Sequence, residues 1–206
     1  MKNIKFSKNS ISAKDMANVK SVIKSGWLTH GKFTNLFERK FSEFTKSKFS
    51  LTVSSCTAGL HISCIAAGFS KGDEVIVPSM THTATAHAVE YTGAKAVFAD
   101  VETISGNVNL DYIKKKVTSK TKGLIVVHMA GLPCDLKPII KFCKKKNITL
   151  LEDCAHALGT TYQSKHVGNF GLSGCFSFYP TKQITTGEGG IVVTNNENFY
   201  NKIKKL

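Results

Sequence analysis

Leu150-Leu151-Glu152-Asp153-Cys154-Ala155-His156-Ala157 joins the apolar run Ile148 to Leu151 to two consecutive acids. The run has the length and aliphatic character of a short buried strand. Asp153 then stands at a strand's carboxyl end, where open α/β sheets bind their ligands. A carboxylate buried there needs a cationic or hydrogen-donating partner, because an unpaired buried charge is very costly. A protonated pyridine nitrogen is one such partner. The ordinary alternatives are a helix N-cap for Asp153 and a satisfied core histidine for His156.

Outward from this stretch, strand-like and helical patterns alternate. Short β runs are expected at Leu51 to Val53, Glu74 to Val77, Ala96 to Ala99, Gly123 to Val127, Ile148 to Leu151, Cys175 to Phe178 and Ile191 to Thr194. Helices are expected around Ala58 to Ala67, Thr83 to Tyr91, Leu110 to Val117 and Leu136 to Lys146. Such alternation argues for an α/β fold, a mainly parallel mixed sheet flanked by helices. Nearer the N-terminus, Ser12 and Asp15 form a capping-box pattern before a helix with Met16, Val19, Val22 and Ile23 on one face and Gly26 as its stop. Phe33, Phe37, Phe41 and Phe44 make a second helical stripe, read as core packing.

Two further segments lie at expected strand ends. Val53-Ser54-Ser55-Cys56-Thr57-Ala58-Gly59-Leu60-His61 passes from strand to helix through small hydroxylic residues. Backbone amides and the helix dipole there favour an anion such as phosphate, although plain Ser/Thr capping explains the same letters. Ser177-Phe178-Tyr179-Pro180-Thr181-Lys182-Gln183-Ile184-Thr185-Thr186-Gly187-Glu188-Gly189-Gly190 sets a lysine in an aromatic and glycine-rich segment after a strand. Alone it reads as a solvated turn. As a neutral amine, Lys182 could instead attack an aldehyde and form a Schiff base, and pyridoxal phosphate carries such an aldehyde. Together the segments offer a phosphate seat, a ring-nitrogen partner and an aldehyde trap.

With these motifs and with Gly26-Trp27-Leu28-Thr29 and Gly72-Asp73-Glu74-Val75-Ile76-Val77-Pro78-Ser79, the chain resembles the sugar aminotransferases of the DegT/DnrJ/EryC1/StrS family, pyridoxal-phosphate enzymes of fold type I. The resemblance implies a fold type I large domain over residues 1–206, with an N-terminal helical segment to about residue 48. It implies that Lys182 carries the Schiff base and shuttles protons, that Asp153 pairs with the pyridine nitrogen, and that His156 lies beside the ring's phenolic oxygen. Thr57 and Ala58 would hold the phosphate through backbone amides, Ser177 would add a hydroxyl, and His82 would stack on the ring. The implied reaction moves an amino group from a donor, glutamate, to a nucleotide-linked keto-sugar in amino-sugar and cell-surface polysaccharide biosynthesis. A homodimer is implied for the complete protein. Sugar dehydration is a competing reading, weakened because such relatives carry histidine in place of the lysine. A non-catalytic product that binds the cofactor or a partner subunit is another.

The chain departs from the family pattern at several points. Cys56 stands where glycine is common, His82 where Phe or Trp is usual, Lys32 in place of a proline, and Gly59 where alanine is usual. Glycine early in a helix costs up to about 1 kcal/mol relative to alanine. Family members continue into a smaller C-terminal domain, which is expected to be absent here.

Composition fits one globular domain: 206 residues, 42% hydrophobic and 20% charged, can bury a substantial core. The net charge of +14 would ordinarily suggest nucleic acid, but Arg39 is the only arginine. Bidentate recognition of phosphate and guanine favours arginine, so no nucleic-acid partner is expected. The clusters Lys114 to Lys116 and Lys144 to Lys146 read as solvated helix ends. Six cysteines without C-x-x-C spacing read as buried thiols, neither zinc ligands nor disulfides, and no metal is expected. The first six residues lack a long apolar core, and no segment approaches membrane-spanning length, so a cytoplasmic location and no membrane partner are expected.

Overall fold

The computed structural model describes residues 7–206; the stretch read for a leader, residues 1–6, and the start of the expected N-terminal helical segment lie outside them. Seven strands form one sheet, β1 (Phe49–Val53), β2 (Glu74–Pro78), β3 (Lys95–Ala99), β4 (Thr121–Val127), β5 (Thr149–Asp153), β8 (Ser173–Ser177) and β9 (Gly190–Thr194). A two-stranded hairpin, β6 (Thr161–Tyr162) with β7 (Lys165–His166), stands apart. The sheet order is β1-β9-β8-β5-β4-β2-β3. From β8 to β3 all pairings are parallel, while β9 runs antiparallel to both β8 and β1. The expected mainly parallel mixed sheet is what forms.

Strand alternation divides the core between the two faces. Val75, Val77, Ile125, Leu151 and Val192 pack on one face with Leu60 and Cys64 of α3 (Cys56–Ala66), Ala88 and Val89 of α4 (Thr83–Glu90), and Phe199 and Ile203 of α7 (Glu197–Ile203). Ile76, Leu124, Val126 and Leu150 pack on the other with Ile113 of α5 (Leu110–Lys114) and Leu136, Ile139 and Cys143 of α6 (Leu136–Lys146). Gly59 explains its own departure from alanine. A Cβ there would meet a Val192 methyl at 2.9 Å and a Val53 methyl at 3.3 Å, so glycine lets α3 lie close on the sheet.

Both N-terminal helices match their sequence signals, but the core packing expected of the second is only partly met. α1 (Ala13–Ser25) starts with the full Ser12/Asp15 capping box and stops at Gly26 in the left-handed conformation. Its apolar face, with Met16, Val19 and Ile23, is exposed. In α2 (Lys32–Thr45) the aromatic stripe is core only in part. Phe41 is buried against Phe176 and Phe178, and Phe37 meets Phe178 edge to face, whereas Phe33 is exposed and Phe44, also exposed, meets the His166 ring edge to face. α5 ends three residues before the expected Val117. The lysine clusters are exposed at the ends of α5 and α6, as expected. The hairpin and α7 carry no strong periodic signal and are additions to the expected elements.

Candidate active site

Three carboxyl-edge segments meet around a cavity of about 400 Å³. β5 ends at Asp153, paired with Val127 of β4 on one side and Cys175 of β8 on the other. The chain leaving β8 brings Ser177, Tyr179, Thr181 and Lys182, and the return into β9 brings Glu188 and Gly189. The N-terminus of α3 supplies Ser55, Cys56 and Thr57. Thr57, His82, Asp153, His156, Ser177 and Lys182, separated widely in sequence, all line this one cavity.

Ala58 is not among the lining residues. Its amide N–H donates to Ser55 Oγ at 3.1 Å, which makes Ser55 the N-cap of α3. The amides of Cys56 and Thr57, the first two of the helix, have no intrahelical carbonyl to bond and are the ones open to an anion. Cys56 lies within regular helix and is absent from the left-handed residues, so this position needs no glycine. The glycine that matters is Gly190: a Cβ there would sit 2.5 Å from the Cys56 amide nitrogen. Backbone thus meets backbone at the N-terminus of α3.

Asp153 is 4% exposed, yet among the described residues its side chain receives only two donors. Oδ1 accepts from the Ala155 N–H at 3.0 Å, and Oδ2 accepts from the Thr85 hydroxyl at 2.8 Å. Each oxygen keeps a lone pair for a further donor. The N-cap alternative for Asp153 is not realised, because no helix follows it; the short Ala155 contact is its nearest equivalent.

His156 is half-buried, and its Nδ1 accepts from the Ala130 N–H at 3.4 Å. That fixes the remaining ring hydrogen on Nε2. Burial, reinforced by the Lys182 charge, lowers His156 from its usual 6.5, so the neutral ring prevails at neutral pH. Ala130 itself sits at φ 50°, a left-handed conformation uncommon for a residue with a Cβ. The Gln183 side-chain amide donates to the His156 carbonyl, tying the lysine segment to the β5 segment. His82 caps α4: its Nδ1 accepts from the Ala84 N–H at 3.2 Å, so its ring is held at the cavity mouth.

Beside Asp153, the neighbouring acid has a different role. Glu152 is fully buried and takes four donors: the Gly168 N–H and His128 Nε2 on one oxygen, and the Phe170 and Gly171 amides on the other. Burial pushes the carboxyl up, but the His128 hydrogen bond and the glycine amides outweigh it and leave it below its usual 4.5. His128 Nδ1 accepts from the Cys134 N–H at 3.2 Å. His128, Glu152 and Cys154 bring metal-type ligand atoms within 4.8 Å of one another. Both imidazole nitrogens and both carboxylate oxygens are already engaged, so the cluster is a polar clamp that joins β5 to the loop at 168–171. Neither Thr85 nor this clamp is legible in the sequence; a threonine in a helix and a histidine after a strand carry no local signal.

A helix N-terminus with free amides, hydroxyls from Ser55, Thr57 and Ser177, a carboxylate with open lone pairs and one lysine form a donor set that fits a phosphorylated pyridine aldehyde. All six cysteines are buried. Among the described residues, no helix is long and apolar enough to cross a membrane.

Comparison with known proteins agrees with this geometry. Residues 9–206 match the model of the DegT/DnrJ/EryC1/StrS aminotransferase family. GDP-perosamine synthase of Escherichia coli O157:H7 is 40% identical over 203 residues, which cover 98% of this chain and 56% of that protein. Among solved structures, Helicobacter pylori PseC, an aminotransferase involved in the biosynthesis of pseudoaminic acid, superposes with a TM-score of 0.92 at 35% identity, covering 98% of this chain and 55% of its own. GDP-4-keto-6-deoxy-D-mannose-3-dehydratase of E. coli, solved with bound hydrated PLP, superposes with a TM-score of 0.91 at 30% identity, covering 96% and 52%. The chain spans about half the length of the relatives it matches. It belongs to the DegT/DnrJ/EryC1/StrS aminotransferase family.

Proposed function

We propose that the cavity binds pyridoxal phosphate and serves transamination of a nucleotide-linked keto-sugar, with glutamate as amino donor. The observation that carries this reading is the convergence of Lys182, Asp153 and the N-terminus of α3 on one cavity. Bound there, pyridoxal phosphate supplies an aldehyde that condenses with amines and a ring that withdraws electron density from the neighbouring carbon.

The chain's own groups divide the work. Lys182 supplies the amine nucleophile and afterwards the base that moves a proton at the substrate carbon. Asp153 holds the proton on the ring nitrogen with its open lone pairs. Neutral His156 offers its Nε2–H to an oxygen in the cavity. The amides of Cys56 and Thr57 and the hydroxyl of Ser177 bind the phosphate, a seat shifted one residue toward the N-terminus from the expected Thr57 and Ala58 pair. His82 presents its ring as a stacking face. A homodimer, a cytoplasmic location and a large-domain role for this stretch are part of the same proposal, resting on family likeness.

By the family resemblance, Lys182 favours transamination over sugar dehydration. The purified chain with pyridoxal phosphate should show a visible absorption band that Lys182→Ala lacks. Glutamate should then bleach the band and release 2-oxoglutarate. A band that glutamate leaves unchanged would contradict the donor assignment, and nucleotide-sugar dehydration without amino transfer would contradict the reaction.

A further inference from the structure

Behind the cavity wall, one hydroxyl pair gives Asp153 an oriented support. Thr85, the third residue of α4, is fully buried and does not line the cavity. Its Oγ1 lies 2.8 Å from Asp153 Oδ2 and 2.7 Å from Thr81 Oγ1, and Thr81 does line the cavity. A threonine hydroxyl has one hydrogen. A carboxylate has none to give, so Thr85 must donate to Asp153, and the Thr81 contact must then run from Thr81 O–H to Thr85 Oγ1. The chain of donors therefore points one way, from the cavity wall through two hydroxyls to the carboxylate.

Two features hold the pair in place. Threonine is β-branched and stiff at χ1, and the helix turn that carries Thr85 is fixed by the Thr85 N–H bond to the His82 carbonyl at 3.1 Å. On the carboxylate side, the Ala155 N–H fixes the other oxygen. Two donors, one on each oxygen, set the plane of the carboxylate while leaving a lone pair on each.

Resting on the proposed pyridoxal-phosphate reading, we infer that Thr85 is a positioning residue, which, polarised by Thr81, keeps the Asp153 carboxylate oriented toward the cofactor's ring nitrogen. Hydrogen bonds to charged groups in series strengthen one another, and a buried donor to a carboxylate is among the stronger kinds. Loss of the hydroxyl leaves Asp153 with one donor and a weakened hold on the ring proton.

The test uses the purified chain, ring-15N pyridoxal phosphate and three variants, Thr85→Val, Thr85→Ser and Thr81→Val. Thermal unfolding establishes that each is folded. The wild type should show a protonated ring nitrogen by 15N NMR. Thr85→Val should move that signal toward the unprotonated position and weaken cofactor binding about tenfold, the ratio expected for a hydrogen bond to a charged group. Thr85→Ser should restore the signal and most of the affinity, and Thr81→Val should shift both in the same direction by about twofold. Should Thr85→Val not fold, the Thr81→Val and Thr85→Ser results decide: an unmoved Thr81→Val nitrogen signal overturns the inference. A wild-type signal unchanged in folded Thr85→Val overturns the inference while the cofactor reading stands. A wild type that captures no cofactor on Lys182 overturns both.

Discussion

Two carboxylates adjacent in sequence end β5, and they face opposite sides of the sheet. Glu152 follows Leu150 toward the α6 side, and Asp153 follows Leu151 toward α3 and α4. Both are buried. Glu152 is saturated by four protein donors; Asp153 has two and an open cavity in front of it. Burial alone therefore does not separate an acid saturated by the protein from one proposed to hold a ligand. The number of lone pairs left free does.

The contrast is most exposed to failure at Glu152. Glu152→Ala would strip the partner from buried His128 and from three backbone amides, and should cost about 3 kcal/mol or more of stability in urea unfolding. A loss below about 1 kcal/mol would mean the clamp is not structural. On the open side, Asp153→Asn should leave stability within about 1 kcal/mol of wild type but weaken pyridoxal phosphate binding about tenfold, as measured by fluorescence titration. If the two substitutions exchanged effects, the distinction would be wrong.

Acid provides a gentler version of the same comparison. The folded-state Glu152 carboxyl titrates below its usual 4.5, so its stabilisation is intact above that value and is lost as the pH falls through the lower folded value. Urea midpoints measured from pH 5.5 downward should fall less steeply for Glu152→Gln than for the wild type. Equal slopes would remove Glu152 from the account of acid unfolding.

The smallest effect is expected at the thiols. Burial raises Cys56 well above the thiol value of 9.0, although it lines the cavity, and raises Cys64 and Cys134 to about 12 and Cys143 to about 11. None should react with a thiol reagent at neutral pH before unfolding, with or without pyridoxal phosphate. Rapid labelling of Cys56 alone would show the open side to be looser than drawn.

The same two acids mark the limit of what the sequence conveys. Asp153, Lys182 and the Thr57 segment are recognisable because each sits in a short local pattern at a strand end, and parallel sheets gather such ends along one edge. The alternation of apolar runs likewise announces the sheet and most of its helices. Thr85 is different: it meets Asp153 from 68 positions away, and nothing near it in sequence marks the contact. Glu152 depends on amides at 168–171, in a loop without periodicity. Capping by Ser55 consumes the Ala58 amide, which is why the proposed phosphate seat lies one residue before the expected pair, a choice made by side-chain geometry. The exposed face of α1 shows the converse, an amphipathic pattern read correctly as a helix without revealing what lies against it.

Which amine reaches the cavity's ligand decides whether Lys182 has the proposed role. Pyridoxal phosphate added to the purified chain, reduced with borohydride and digested, can be located by mass on any of the 27 lysines. The predicted result is a single modified peptide bearing the cofactor on Lys182, lost when Gly190→Ala crowds the Cys56 amide. Modification spread over the exposed lysines, with Lys182 no more labelled than Lys144 or Lys145, would contradict it.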